Sequence, residues 1–189
     1  MVKAALLAIA TLVATPTISY ACINGVEWTT QDDVRMVKRA ETQFEQGQYS
    51  RALKTMRWLK PSDKRLRTRI ADLKAIIEIR VHDERTDLAK SVAHIESRDD
   101  AAAHKDIKLY AWRAEAYLAI GKRDEAKAIL DDLHARDLMP DAHGYLALAK
   151  LTTGTTRLEM WKACRTRATV KDMCELPTAV TSARNAPTK

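Results

Sequence analysis

Three glutamates, Glu41, Glu78 and Glu115, stand 37 residues apart along the chain. Carboxylates repeated at one interval can meet the basic or amide groups of an extended or helical peptide. Phe44 and Trp112 lie three residues from the first and last of them, and such aromatic side chains supply the apolar anchors of binding hot spots. These five residues form the candidate binding set. A plainer reading competes with it, because glutamate is a good helix former and is common on solvated helix faces.

A second concentration of charge is "KPSDKRLRTR", which holds Lys60, Lys64, Arg65, Arg67 and Arg69 within ten residues. A basic patch of this kind can attract anionic lipid headgroups, polysaccharide or nucleic acid. No aromatic stacking platform interleaves with it, so nucleic acid is the poorest of these partners. A solvated surface at a helix start is the competing reading. Patterns for catalysis or metal binding are thin. His82, His94, His104, His134 and His143 never fall four apart, the spacing that puts two ligands on one helix face. No paired-cysteine spacing, nucleophile elbow or phosphate-cradling glycine loop is present. The sequence therefore assigns no catalytic residue, no metal ligand and no cofactor, and an enzyme with a fold-assembled site is the weakest of three readings.

Residues 1–21 follow the three-part pattern of a secretory signal peptide. Lys3 supplies the positive start, Ala4 to Ala14 an apolar run, Pro16 a break, and Ser19-Tyr20-Ala21 the small residues before cleavage. The run is too short to span a bilayer, and charges interrupt every later apolar stretch. Residues 22–176 are then expected as an exported domain, periplasmic or secreted, and the small polar tail 177–189 as disordered. Tyr20 suits a lipoprotein signal poorly, so plain cleavage is favoured over lipid attachment at Cys22. Beyond residue 21 the formal charge is 31 − 25 = +6. Export permits disulfides. Of Cys22, Cys164 and Cys174, the last two, ten residues apart, are the expected pair.

The elements that must position these residues are all helical. Only five glycines and five prolines occur, and apolar residues recur at three- and four-residue spacing from about Val34. Capping at Thr30 to Asp33 is expected to start a helix that stops at Gly47. A second carries Leu53, Met56, Trp58 and Leu59 up to Pro61, and Ser62 or Asp63 caps a third reaching about Val81. "LAKSVAHIE" returns, then Ser97 to Asp100 cap a long helix to Ile120. Gly121 turns the chain into a return helix ending near Pro140. A fourth pair, Pro140 to Leu151 and Thr155 to Arg167, is hinged at Gly154.

Laying "AETQFEQGQYSRALKTM" over "AEAYLAIGKRDEAKAIL" aligns Ala40 with Ala114, Glu41 with Glu115, Gly47 with Gly121 and Ala52 with Ala126. The midpoint of that offset holds Ile77, Glu78, Glu84 and Ala89, so three units share a 37-residue period. Alanine lets paired helices approach closely, glycine permits the tight turn, and stacking buries the stripe each hairpin leaves exposed. The fourth pair departs from the period: Gly154 lies 33 beyond Gly121, and Thr152 stands at the glutamate position. It reads as a diverged capping hairpin.

In Ala114, Tyr117, Gly121, Ala126 and Pro140, and partly in Ala40, Gly47, Ala52 and Pro61, the chain resembles the tetratricopeptide repeat family. The resemblance runs from about Val34 to Pro140. It implies an all-α, right-handed superhelical array of about four antiparallel hairpins whose first helices line a concave, protein-binding groove. Its register would line that groove with Val37, Lys38, Glu41, Phe44 and Glu45, then Lys74, Ala75, Glu78, Val81 and His82. Ala111, Trp112, Glu115, Leu118 and Ala119 would follow. Helical spacing independently puts Lys38, Glu41 and Glu45 on one face. Trp28, Trp58 and Trp161 are expected in the core, with Trp112 turned toward the groove. The sequence thus points to an exported, non-catalytic scaffold for a protein or peptide partner. An envelope-surface binder using the basic patch is the alternative.

Overall fold

The computed structural model describes residues 20–81, 87–99, 104–170 and 173–175, with side chains from residue 31 onward. Of the leader, residues 1–19 lie outside this range, as do the tail 177–189, His82 and the side chains of Cys22 and Trp28. Among the described residues there are eight helices and no strand. They are α1 (Tyr20–Glu45), α2 (Tyr49–Met56), α3 (Lys64–Val81), α4 (Leu88–Glu96), α5 (Ile107–Ala119), α6 (Arg123–Ala135), α7 (Ala142–Leu151) and α8 (Gly154–Arg167). None is long and apolar enough to cross a membrane.

The helices pair as four consecutive hairpins, α1/α2, α3/α4, α5/α6 and α7/α8. The first helices touch in order, α1 on α3, α3 on α5 and α5 on α7. Each return helix also meets the next first helix, α2 on α3, α4 on α5 and α6 on α7. This pattern follows from the apolar stripes, since a lone hairpin cannot bury its outer stripe and the next hairpin covers it. Two core clusters result. One gathers Val37, Met56, Ile76, Ile77 and Ile95, the other Leu130, Leu133, Tyr145, Leu148 and Met160. Tyr110 on α5 packs against both.

The repeat register holds where backbone closeness demands it. Ala40, Ile77 and Ala114 are all fully buried on α1, α3 and α5, as are Ala52 and Ala126 on the return helices. Ala89 is not: it is exposed, and Ser91 is buried in its place. Ser91 is the fourth residue of α4, as Ala52 is of α2 and Ala126 of α6. The period of 37 therefore holds along the first helices and slips by two residues in the middle return helix. The glycine turns share one geometry. Gly47 and Gly121 sit at φ +70° and +81°. Gln48 N–H donates to Gln43 and Gly47 N–H to Phe44, and Lys122 and Gly121 repeat this onto Tyr117 and Leu118. These are the paired bonds of a Schellman cap, which needs a left-handed residue at its turn.

Three expectations are corrected. Helix α1 runs unbroken through Thr30 to Asp33, and the Asp32 carboxylate pairs with Arg35 one turn on and caps no new start. The single long helix expected to reach Ile120 is broken at Asp106: residues 104 and 105 are helical, and α5 starts afresh at Ile107. There the Asp106 carboxylate accepts the Leu109 N–H at 3.1 Å, while residues 100–103 lie outside the described range. Trp58 is 76% exposed, since α2 ends at Met56 and leaves it past the helix; the Arg57 guanidinium lies 4.9 Å over its ring. Elsewhere Asp63 caps α3 through the Leu66 N–H at 2.8 Å. Cys164 and Cys174 are joined, both buried, with Cα atoms 6.0 Å apart. After α8 the chain folds back to the first hairpin. Thr169 Oγ1 donates to the Glu45 carbonyl at 2.7 Å, and Val170 lies so close to Gly47 that a Cβ there would come within 2.7 Å of it.

Candidate functional site

A buried guanidinium organises the interior face of the array. Arg80, in the last turn of α3, has a side chain only 6% exposed. Its Nε and Nη2 donate to the two oxygens of Glu115 on α5 at 2.8 and 2.6 Å, and Nη2 also reaches Asp141 at 3.2 Å. The forked geometry matches a planar guanidinium to a carboxylate. Phe44 on α1 lies beneath the guanidinium, 4.6 Å from ring centroid to carbon. Phe44 also packs edge-on against Trp112 and tilted against Tyr49, each at 5.7 Å. The Tyr49 hydroxyl meets His143 Nε2 at 2.9 Å, in a hydrogen bond whose direction follows the imidazole tautomer. Five of the eight helices thus converge on one cation, with Asp141 contributed by the cap of α7, where it accepts the His143 and Gly144 N–H groups.

The protonation states follow from this crowding. Burial works against the charge on Arg80, but the Glu115 and Asp141 carboxylates outweigh it and hold the guanidinium firmly protonated. Burial would raise the Asp141 carboxyl, yet Arg80, His143 and the Gly144 N–H keep it below its usual value. Burial and the nearby Arg80 charge lower the His143 imidazole, so near pH 7 it is neutral. Burial raises the Tyr49 phenol, which stays protonated. Both carboxylates are thus engaged by Arg80, the phenol is not activated, and the imidazole faces that phenol. The cluster is equipped to lock helices together and to present polar edges.

Two clefts flank the cluster. One, of about 480 Å³, spans α3, α5 and α7: Ile79, Leu118, Ala119, Leu146 and Ala147 line it with Tyr49, Arg80, Glu115, His143, Arg123 and Lys150. The other, about 240 Å³, opens between Phe44, Trp112, Pro140, Asp141 and Arg167. Met173, held by its neighbour Cys174, lines both. A third cleft, about 550 Å³, lies across α1, α3 and the start of α5, between Glu41, Lys64, Arg65, Arg69, Asp72 and Trp112.

No family model, curated protein or solved structure matches the chain.

The candidate glutamates take three different partners. Glu41 pairs with Arg69 beside the largest cleft, and Glu115 is held by Arg80. Glu78 accepts a hydrogen bond from the Ser91 hydroxyl across the α3/α4 hairpin. Phe44 is buried, while half-buried Trp112 lines both the largest and the smallest cleft. The structure therefore brings Phe44, Trp112 and Glu115 around Arg80, and directs Glu78 into its own hairpin.

The basic patch is divided. Lys64, Arg65 and Arg69 line the largest cleft. Arg67 turns back to donate to the carbonyls of Pro61 and Ser62, and Lys60 is exposed beyond α2. Tyr49, Arg80, Asp141, His143, Arg123 and Lys150 are the site residues that sequence reasoning missed. Only Asp141, an acid placed before a helix just after Pro140, carried a local signal, and that signal was for a cap.

Proposed function

We propose that this chain is an exported, non-catalytic scaffold, a tetratricopeptide-like superhelical array that binds a peptide or protein segment in its concave groove. The observation that carries this reading is the cleft across α3, α5 and α7. Its floor is apolar and residues of three consecutive first helices line it, so an extended or helical segment laid across it would contact all three. The repeat register in Ala40, Ile77 and Ala114 supports the family resemblance, and the buried Cys164–Cys174 bond supports an oxidising compartment. The Arg80 cluster suits a structural part in this scaffold, because its carboxylates are engaged by Arg80 and its imidazole and phenol by each other.

A photo-crosslinking residue introduced at Leu146, in the cleft, or at Ala93, exposed on α4, separates the groove from the rest of the surface. In the cell that makes the protein, Leu146 is expected to give a discrete adduct with another polypeptide and Ala93 none. Equal labelling from both positions, or from neither, would remove the groove as the binding face.

A further inference from the structure

We infer that the segment received by the α3/α5/α7 cleft is acidic and carries an apolar anchor. This rests on the binding-scaffold reading and adds to it the chemistry of the occupant. The apolar requirement comes from the floor, where Ile79, Leu118, Ala119, Leu146, Ala147 and Met173 line the same space. Burying an apolar side chain there removes its surface from water, the general driving force for association.

The acidic requirement comes from a charge count around that floor. Four ionisable side chains besides His143 and Tyr49 line the cleft: Arg80, Glu115, Arg123 and Lys150. Arg80 and Glu115 neutralise each other in a two-pronged contact. Arg123 and Lys150 are both exposed at the rim, and among the described residues neither lies within ion-pair distance of a carboxylate. Arg123 donates one hydrogen bond, at 3.2 Å, to the Lys150 carbonyl at the end of α7. That contact fixes the guanidinium at the C-terminal end of α7 with most of its donors unused. Two exposed cations lining one apolar cleft are complementary to a carboxylate on whatever enters.

The contrast with the largest cleft supports the assignment. There Arg69 meets Glu41, Lys108 meets Glu45 at 2.9 Å, and Arg98 lies 3.5 Å from Asp72. Over its whole lining five Lys and Arg face four carboxylates, whereas the α3/α5/α7 cleft has three Lys and Arg and one carboxylate. The α3/α5/α7 cleft thus sets the greater excess of positive charge against an apolar floor. The formal charge of +6 beyond residue 21 would favour encounter with an acidic partner.

The test is selection from a displayed library of random peptides on the folded, oxidised protein, run in parallel on Arg123→Glu/Lys150→Glu. Both positions are exposed, and an unchanged circular dichroism melt establishes that the variant folds; Lys150→Glu alone serves if the double variant does not. The wild type is expected to enrich peptides that combine Asp or Glu with Leu, Ile, Phe or Met. The charge-reversed protein is expected to enrich Lys- and Arg-containing peptides instead. A selected acidic peptide should bind the double variant at least roughly tenfold more weakly and lose most of its salt dependence. Neutral or basic peptides enriched by the wild type would overturn the inference while leaving groove binding intact. So would the same peptides enriched by both proteins. No enrichment at all, together with no Leu146 crosslink, would overturn both. Self-association of the wild type that is lost in the charge-reversed variant would make a second copy the occupant, and would also overturn it.

Discussion

Arg80 shows how a single side chain can decide whether an interior is stable. Its charge is buried and satisfied by Glu115, Asp141 and the face of Phe44. Removing it leaves two carboxylates facing each other without the cation between them, so Arg80→Met is expected to cost about 3–5 kcal/mol in a denaturant melt. Adding Glu115→Leu to that variant should restore part of the loss, because an apolar pair of similar volume needs no counter-charge. A second expectation concerns acid. His143 is lowered by burial and by Arg80, so the unfolded chain takes up a proton near 6.5 that the folded chain resists. Stability therefore falls as pH drops from about 7 toward 5, and His143→Gln should flatten that slope in pH-dependent melts. Asp141, lowered in the fold, adds a further loss only as pH falls below its ordinary 3.8. None of this was legible in the sequence. Arg80 is one cation among 32 Lys and Arg, and its partners lie 35 and 61 residues away. Spacing rules for helix faces cannot see contacts between hairpins.

At the scale of elements, much more was legible. Apolar spacing, Gly47, Gly121 and Asp63 placed the hairpins, since caps and turns are set by neighbours a few residues apart. The failures came where a local signal had two outlets. Thr30 to Asp33 has the composition of a cap but lies inside α1, and Asp106 breaks the expected long helix between residues 104–105 and α5. The two-residue slip at Ser91 was invisible because Ala89 satisfied the pattern by composition alone. The glycine turns offer a graded test. At Gly121 an added Cβ would meet nothing within 4 Å, so Gly121→Ala is expected to cost only the left-handed backbone, about 1–2 kcal/mol. At Gly47 the same backbone cost is joined by the Val170 contact, so Gly47→Ala should destabilise more and loosen residues 169–175. Equal melting temperatures for the two variants would argue against the fold-back of the chain onto the first hairpin.

The described residues form a row of hairpins, and the segment just after α8 returns to the first of them. The Cys164–Cys174 bond keeps Met173 between the two clefts, and Thr169 ties the same segment to the end of α1. Closing a loop of ten residues contributes about 2–4 kcal/mol through the unfolded chain. Cys164→Ser/Cys174→Ser is therefore expected to unfold at correspondingly lower denaturant. Hydrogen exchange around residues 168–175 should rise before that of α5 or α7. The central claim, that the inner face of α3, α5 and α7 receives a segment of another polypeptide, is tested most directly by methyl spectra recorded during titration with a library-selected acidic peptide. Shifts confined to Ile79, Leu118, Leu146 and Met173, with exposed Leu158 on α8 unmoved, are the expected result. Saturable binding that leaves those four methyls in place and moves others would contradict it.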